Sequence, residues 1–342
     1  MNDANRAKSF PLCRFRPKLS RVKHLVIVDG HHLLYRAYWA IPRTMKTSEG
    51  EQVNTTFGLT SMLLQILRTE EPDSLLFCFD ADEKTFRHLE YADYKGGRAE
   101  TPDDFYPQVP RALQLIDAFG IRSVSGNLME ADDYACTYAR RAEEAGDRVT
   151  IVTGDRDLFQ LSSQTIRVSI PHKGYQMPEY MGPQEIFKKY GVTPAQIPAY
   201  KGLVGDHSDN LPGVKGIGPK AAEALLQEYE TLENIYEHLD AIKGSRRALL
   251  EAGKEQAFFC QRMAVLKCDI PLPVPIADLT FRDIDPDPVR ALMSSLEFSF
   301  LLKRFDAFLV SPYGQKHFLK SDHAIATTQN SRMEESAQLS LL

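Results

Sequence analysis

Acidic residues end three short apolar segments of the chain. The segments 24–29, 74–80 and 149–155 end at Asp29, Asp80 and Asp155. Short apolar runs bounded by turn residues are typical of strands buried on both faces of a parallel sheet. Because functional groups gather at the carboxyl ends of such strands, we expect these carboxylates to share one edge of a sheet. A single aspartate there is equally well explained as a turn former, but three in succession indicate a site.

Further acids lie at the start of a predicted helix. Glu130, Asp132 and Asp133 fall within four residues. Positions i and i+3 share a helix face, so Glu130 and Asp133 are expected to point together, with Asp132 beside them. The helix dipole favours an acid at this end by only about a few tenths of a kcal/mol, which does not account for three. Two shorter pairs add to the set: Asp155 with Asp157, and Asp206 with Asp209.

Carboxylates gathered in this way would repel one another strongly without counterions. Oxygen ligands without cysteine suit Mg²⁺ or Mn²⁺. Two such ions about 3.5–4 Å apart can activate water and stabilise the leaving oxygen of a phosphodiester. The acidic pattern therefore predicts a metal-dependent phosphodiester hydrolase.

Basic and aromatic side chains are interleaved after the second predicted strand. They are Lys84, Arg87, Tyr94, Lys95 and Arg98. This composition suits phosphate contact and base stacking, and Lys95 and Arg98 are candidates to stabilise charge that develops on the scissile phosphate. Two acids in the same stretch leave a solvated helix of mixed charge as the alternative.

A glycine-rich turn precedes a predicted helix in the second half of the chain. Its glycines are Gly213, Gly216 and Gly218, with Lys215 and Lys220 nearby. The spacing G-x-x-G-x-G reverses the dinucleotide fingerprint and lies outside a βαβ unit, which excludes a nicotinamide site. Glycines let backbone N–H groups and a helix N-terminus approach phosphates closely, so the turn predicts duplex binding without sequence readout. A purely structural turn is the alternative.

The remaining pattern sets the domain organisation. Helices are predicted at 56–68, 105–119 and 131–144, between the strands, which indicates a doubly wound α/β core. Further helices are predicted at 183–190, 194–203, 219–229, 231–239 and 245–266. We therefore expect a basic disordered arm at 1–23, a nuclease core at 24–190, a helical DNA-binding subdomain at 191–310 and a disordered tail at 311–342.

Composition excludes several classes of protein. Hydrophobic residues make up 43% of the 342 residues and charged residues 25%, which is ordinary for a globular protein. We find no apolar run of the roughly 18–20 residues that span a bilayer and no secretory signal, so we expect a cytoplasmic protein without membrane contact. Its five cysteines form no C-x-x-C pair, which predicts reduced thiols rather than a disulfide framework or zinc site. The net charge of −5 does not exclude nucleic acid, because bound metal ions would neutralise clustered acids.

Taken together, these motifs resemble the 5′-3′ exonuclease and flap endonuclease family, and above all the N-terminal nuclease domain of bacterial DNA polymerase I. The resemblance runs from about residue 24 to about residue 305. Its motifs are VDGHHLLYR at 28–36, FD at 79–80, FRH at 86–88, YKGGR at 94–98, EADD at 130–133, DRDL at 155–158 and GDHSDNLPGVKGIG at 205–218.

The resemblance implies two divalent metal ions, Mg²⁺ with Mn²⁺ as a substitute. One would lie near Asp29, Asp80, Glu130 and Asp132, and the other near Asp133, Asp155, Asp157, Asp206 and Asp209. It also implies a PIN-like or resolvase-like core, a helical arch at about 81–108, and a helix-turn-helix variant at the glycine-rich turn, often with K⁺ on its carbonyls. His31 and His32 are interpreted as supporting groups rather than ligands, and Trp39 as core.

The implied substrates are DNA with 5′ flaps, gaps or ends, and RNA–DNA hybrids at primers. No polymerase region follows position 305, so we expect a free-standing, monomeric nuclease. A DNA-binding protein with little catalysis is one alternative, and a compact RNA-cleaving nuclease with a similar sheet is another. The sequence does not separate exonuclease from flap-endonuclease preference, identify the metal or the partner polymerase, or decide between RNA primer and DNA as the substrate.

Overall fold

A computed structural model describes residues 23–81, 84–98, 100–126 and 128–319 of the chain. Six strands form one sheet in the order β3-β2-β1-β4-β5-β6, and all neighbours are parallel except β5 and β6. The strands are β1 (His24–Asp29), β2 (Ser74–Cys78), β3 (Arg122–Val124), β4 (Arg148–Val152), β5 (Ile166–Ile170) and β6 (Glu179–Met181). The predicted arm lies outside the described residues, apart from Lys23.

Fourteen α-helices surround and extend this sheet in the described ranges. Those up to residue 190 are α1 (Gly30–Ala40), α2 (Asn54–Glu70), α3 (Phe86–Glu90), α4 (Val109–Ala118), α5 (Ala131–Glu144) and α6 (Pro183–Tyr190). Those after residue 190 are α7 (Ile197–Val204), α8 (Pro219–Tyr229), α9 (Leu232–Glu237), α10 (Ser245–Ala252), α11 (Lys254–Ala264), α12 (Asp287–Ser295), α13 (Ser299–Leu309) and α14 (Pro312–His317).

The α/β prediction is confirmed, because the three predicted strands form the adjacent centre of the sheet. Residues 25–28 of β1 and 75–78 of β2 are almost completely buried. Helices pack on both faces of the sheet in two large apolar clusters. Three helices, α5, α6 and α8, begin and end at the predicted residues. Proline opens α6 and α8, where its fixed φ and missing N–H cost nothing.

The single helix predicted at 245–266 is wrong, because the chain breaks it at Gly253 into α10 and α11. A Cβ at this glycine would lie 2.7 Å from Val214 Cγ1. The break therefore lets the junction of the two helices approach the glycine-rich turn closely. The described part of the predicted arch at 81–108 holds one five-residue helix, α3, and a short 3-10 helix, Tyr106–Gln108.

The end of the chain is more ordered than predicted. Helices α12 and α13 belong to the apolar cluster of α2 and α4 rather than to a DNA-binding subdomain ending at 310. Helix α14 follows, with Tyr313 and Phe318 buried in an aromatic group with Phe281, Phe305 and Phe308. A disordered tail from residue 311 is therefore wrong for residues 312–319, and residues 320–342 lie outside the described ranges.

Two other expectations are also corrected. Trp39 is not core: its side chain is 64% exposed at the end of α1, edge-on to Tyr38. Cys136 and Cys268 form a disulfide, so the prediction of reduced cysteines is wrong for this pair. The two residues are 132 positions apart in sequence, and folding of the 265–268 segment along α5 brings their Cα atoms within 4.9 Å. Among the described residues, no helix is both long and apolar enough to cross a membrane.

The aromatic group at the C-terminal end provides a test of this packing. We expect Phe318→Ala to destabilise the protein by about 3 kcal/mol or more, because it empties a buried aromatic position. Leu319→Ala is the matched control, since Leu319 is half exposed and should be nearly neutral. Thermal melts would show the difference, and equal melting temperatures for the two variants would contradict the assigned packing.

Candidate metal centre and nucleic-acid interface

Besides Asp206, which belongs to a second acidic group described below, four of the predicted acids line one cleft of about 1010 Å³ at the carboxyl edge of the sheet. They are Asp29, Asp80, Asp132 and Asp155. Asp29 ends β1, and Asp80 and Asp155 follow β2 and β4 within three residues. These three come together because the strands are parallel neighbours, as the sequence predicted. Asp132 joins them from the first turn of α5.

Backbone and side-chain donors hold these carboxylates in place. The backbone N–H of His32 and the hydroxyl of Thr153 donate to the two oxygens of Asp29. The backbone N–H of Ala131 donates to Asp80 at 2.9 Å, which ties β2 to the start of α5. The backbone N–H of Asp80 donates to His31 Nδ1. His31 is therefore a supporting group, as predicted, and His32 supports Asp29 through its backbone.

The shared cleft perturbs the protonation of its acids. Burial, with the charges of Asp80 and Asp155, raises the pKa of Asp29 to about 7. Burial and the charges of Asp155, Asp29 and Asp80 raise the pKa of Asp132 well above its ordinary value. Burial would also raise the pKa of Asp80, but Lys95 and the Ala131 N–H outweigh it and lower that pKa. Asp29 and Asp132 are thus held back from ionising, because the described residues do not offset the repulsion that their negative charges would meet.

Asp133 faces away from this cleft, which corrects its prediction as a metal ligand. Its side chain is fully buried and accepts two hydrogen bonds of 2.9 Å from the Arg87 guanidinium. The backbone N–H groups of Lys267 and Glu130 donate to the same carboxylate. With these four donors its oxygens are occupied, so Asp133 serves as an anchor for α5 rather than as a ligand.

Glu130 shares that inward face, as the i, i+3 spacing predicted, but it too is paired. Arg87 Nη1 lies 3.1 Å and Lys95 Nζ 3.2 Å from Glu130 Oε2. Thr85 donates its hydroxyl to the other carboxylate oxygen. Asp132 is therefore the one acid of the EADD motif among the described residues that line the cleft, and Glu130 lies behind it.

Two predicted nucleic-acid contacts have internal roles instead. Arg87 is only 2% exposed, and besides Asp133 it donates to the backbone carbonyls of Met263 and Val265. Tyr94 is 4% exposed and donates its hydroxyl towards Glu130 and Asp209. Neither side chain has a surface on which a base could stack. Lys84 is exposed, and its prediction as a DNA contact remains open.

Lys95 and Arg98 do reach the cleft, as predicted. Both line it, and Arg98 Nη2 lies 3.0 Å from Asp209. Burial alone would lower the pKa of Lys95, but Glu130 and Asp80 outweigh burial and raise it, so the side chain is a permanent cation. Lys95 also has a φ of 58°, in the left-handed region, and its N–H donates to the Asp209 carbonyl. The chain thus bends sharply to present this ammonium.

A second acidic group adjoins the cleft, formed by Asp157, Asp206 and Asp209. One oxygen from each carboxylate lies within 4.8 Å of the others, as a shared metal ion would require. Lys201, which the sequence analysis did not single out, contacts the carboxylates of both Asp157 and Asp206. Burial would raise the pKa of Asp206, but Lys201 and hydrogen bonds from Ser208 hold it at about 2. In the sequence, the only sign of this contact was the position of Lys201 five residues before Asp206.

The glycine-rich turn connects α7 to α8 and has two distinct parts. Gly213 is buried at φ 63°, and a Cβ there would lie 2.2 Å from Gly205 N, so the fold itself requires this glycine. Gly216, at φ 90°, and Gly218 are exposed together with Lys215 and Lys220. A Cβ at Gly218 would meet nothing within 4 Å. The backbone at the N-terminus of α8 is therefore open to a partner.

The chemistry of these donors fits divalent metal ions. Asp29, Asp80, Asp132 and Asp155 offer oxygen ligands only, which suits hard cations such as Mg²⁺. The raised pKa values of Asp29 and Asp132 mark an excess of negative charge that a bound ion would relieve. The second group fits a further ion by its spacing, with Lys201 as a competing cation.

Neighbouring acids of α5 allow a direct comparison of the two environments. In EDTA, we expect Asp133→Asn to lower stability by about 3–5 kcal/mol, because it leaves the buried Arg87 charge without its partner. Asp132→Asn should instead match or exceed the wild type, because it relieves repulsion. Thermal melts of the two variants under the same conditions provide the measurement. Similar losses for both variants would mean that Asp133 is no anchor.

The pKa of Asp29 predicts an unusual pH dependence for the metal-free protein. This pKa is about 7 in the fold, above the unfolded value of about 3.9. Between these values the folded carboxyl retains a proton that the unfolded chain has released, so stability falls as the pH rises towards 7. Between about pH 6.5 and pH 8 we expect Asp29 alone to cost about 1 kcal/mol. Asp29→Asn should remove this part of the loss.

Melting temperatures in EDTA across that range would test the pH prediction, and Mg²⁺ added at the upper limit should restore stability. The lower limit avoids His24, because burial lowers the pKa of this histidine to about 4 and its proton uptake on unfolding would destabilise the fold below about pH 6.5. A metal-free protein that becomes more stable towards pH 8, with Asp29→Asn unchanged, would contradict the assigned charge state.

Comparisons with known proteins agree with this geometry. Residues 24–191 match the family described as 5′-3′ exonuclease, N-terminal resolvase-like domain, and residues 192–287 match 5′-3′ exonuclease, C-terminal SAM fold. DNA polymerase I of Thermus thermophilus is 40% identical over 291 residues, covering 85% of this chain and 34% of that protein. DNA polymerase I of Bacillus subtilis is 38% identical over 283 residues, covering 82% and 32%. The chain thus spans about a third of the length of these relatives.

Solved structures share the fold at low sequence identity. T5 5′-exonuclease with bound zinc superposes with a TM-score of 0.59 at 18% identity, covering 84% of this chain and 98% of that chain. The catalytic core of Rad2 in complex with a DNA substrate gives a TM-score of 0.52 at 16% identity, covering 84% and 92%. At these identities the likeness shows the fold alone.

Proposed function

This chain belongs to the 5′-3′ exonuclease family, and on that premise we propose that it hydrolyses phosphodiester bonds at the 5′ ends of branched, gapped or nicked DNA. The observation that carries the proposal is the convergence of Asp29, Asp80, Asp132 and Asp155 at one edge of the sheet, beside Lys95 and Arg98. Acids and cations that face one cleft suit a reaction on a phosphate.

Asp29, Asp80, Asp132 and Asp155 are the proposed ligands of the first metal ion. Asp157, Asp206 and Asp209 are those of the second. Bound Mg²⁺, or Mn²⁺ in its place, would supply an activated water and offset the charge of the leaving oxygen. Glu130 acts indirectly in this arrangement, because it holds the Lys95 ammonium 3.2 Å from its own carboxylate and close to the cleft.

Lys95 and Arg98 are the proposed phosphate contacts in the cleft. Lys95 is a permanent cation whose backbone and side chain are both fixed, so its charge is in position before substrate arrives. Such preorganised cations stabilise charge developing on a phosphoryl group. Arg98 is half exposed and offers a planar guanidinium suited to phosphate oxygens.

Duplex DNA is proposed to bind at the exposed part of the glycine-rich turn. Lys215, Lys220 and the open backbone at Gly218 suit phosphate contacts that hold a duplex without reading its sequence. K⁺ on the carbonyls of the same turn belongs to this proposal, because carbonyl oxygens can replace its hydration shell. Solved structures of the same fold that hold DNA include a T5 flap endonuclease and the Rad2 core, and 5′ flaps are one of the substrates proposed for this chain. RNA–DNA hybrids, a monomeric state and a cytoplasmic location are further parts of the proposal.

Cleavage of defined substrates tests the proposed function. The protein should cut a 5′-labelled flap in Mg²⁺, and blunt duplex and RNA–DNA hybrid substrates would establish its preference. We expect Asp80→Asn to lower the cleavage rate about a hundredfold or more while leaving flap binding nearly intact. Asp117→Asn, an exposed acid of α4, is the matched control. Tight binding of the flap by the wild type without cleavage would favour a DNA-binding protein instead.

Gly218 offers a clean test of duplex binding. Because a Cβ at this position has open space around it, we expect Gly218→Ala to melt like the wild type. The added methyl group should nevertheless weaken duplex binding severalfold, since it separates the backbone from a bound phosphate. Fluorescence anisotropy with a labelled duplex would measure this. Unchanged affinity would show that the duplex does not bind at this part of the turn.

A further inference from the structure

The second acidic group already contains a cation from the chain itself. Lys201 lies on α7 with its side chain only 10% exposed, and its ammonium contacts the carboxylates of Asp157 and Asp206. These two acids and Asp209 are the residues whose oxygens converge within 4.8 Å. The ammonium therefore lies against two of the same carboxylates that a divalent ion would need.

The first acidic group differs in this respect. Within the described ranges, neither Asp29 nor Asp132 forms an ion pair with a lysine or an arginine. Asp80 has a lysine near it, but Lys95 lies closer to Glu130 and makes its ion pair there. The first group is thus open to an incoming ion, whereas all three acids of the second group are already paired. Lys201 pairs with Asp157 and Asp206, and Arg98 pairs with Asp209.

We propose that Lys201 is a tethered counter-cation of the second acidic group, which it holds together without metal and from which a divalent ion must displace it. The inference rests on the proposed function, because it assumes that both groups take metal ions. It implies that the first group fills at lower metal concentration than the second. Lys201 then sets the concentration at which the second ion binds.

Lysine is suited to such a role. Its ammonium is a compact point charge on a flexible four-carbon stem, so it can leave the carboxylates without movement of α7. Lys201 also lines the large cleft, together with Lys95 and Arg98. A displaced ammonium would therefore face the space proposed for the DNA phosphate. Binding of DNA and of the second ion should consequently favour each other.

Mn²⁺ binding to the full chain, followed by electron paramagnetic resonance of the free ion without DNA, tests the proposal. The wild type should bind one ion tightly and one weakly. In Lys201→Met, which keeps the stem and removes the charge, the weak site should tighten about tenfold or more. The same variant should melt at a lower temperature than the wild type in EDTA, because the buried acids lose their cation. Lys189→Met, at a surface ion pair with Glu179, should change neither result.

Lys201→Arg checks that charge rather than side-chain shape is responsible, since it should retain a weak second site. A second site that is unchanged or weaker in a folded Lys201→Met protein would overturn the inference and leave the proposed function standing. If Lys201→Met does not fold, Lys201→Gln takes its place in the same Mn²⁺ binding measurement and is judged by the same outcomes. A wild type that binds no Mn²⁺ would overturn both proposals.

Discussion

Repulsion between carboxylates is the constraint on which this structure depends. The parallel strands end at one edge of the sheet, and their ends bring Asp29, Asp80 and Asp155 together with Asp132 of α5. Burial strengthens the repulsion, because water no longer screens it. Three cations of the fold offset part of this repulsion. Arg87 pairs with Asp133 of α5, Lys95 lines the cleft and pairs with Glu130, and Lys201 pairs with acids of the second group. The repulsion that these cations do not offset, at Asp29 and Asp132, defines the place for an added ion.

The same cations connect the site to the rest of the molecule. Arg87 joins Asp133 of α5 to the backbone carbonyls of Met263 and Val265 in the helical region. The loop between α7 and α8 carries Asp206 and Asp209 at one end and the exposed glycines at the other. Contacts made by a duplex at the turn would thus act on the chain that supplies the second acidic group.

Local patterns in the sequence predicted the structural elements whose formation depends on residues close together in the chain. Central strands that are buried on both faces leave long apolar runs, so β1, β2 and β4 and the acids that end them were recognisable. The edge strand β3, with only three residues and two of them exposed, carries no such pattern. Helix α13 packs through an aromatic contact of Phe305 with Phe119, far away in the sequence. The short helix α14 falls in the segment that was predicted as a tail, because that segment is polar and weakly patterned.

The roles of individual acids could not be predicted in this way. EADD suggested three metal ligands, but the partner that turns Asp133 inward, Arg87, lies 46 residues away. Arg87 and Tyr94 were predicted to contact DNA because arginine and tyrosine are residue types that suit such contacts. Folding instead buries both side chains against Glu130 and its neighbours. Lys201 meets Asp157 only through packing of α7 beside the 3-10 helix Asp157–Leu161. Sequence thus identified the acidic site, and tertiary packing assigned the task of each residue.

Anomalous diffraction from crystals of the protein soaked with Mn²⁺ tests the proposed metal site most directly. We expect an anomalous peak in the cleft, with carboxylate oxygens of Asp29, Asp80 and Asp132 within about 2.0–2.4 Å of the ion. Asp133 should remain bound to Arg87 and outside the coordination sphere. Saturating Mn²⁺ that leaves this cleft empty, or an ion coordinated by Asp133 with the Arg87 pair broken, would contradict the assignment of these acids.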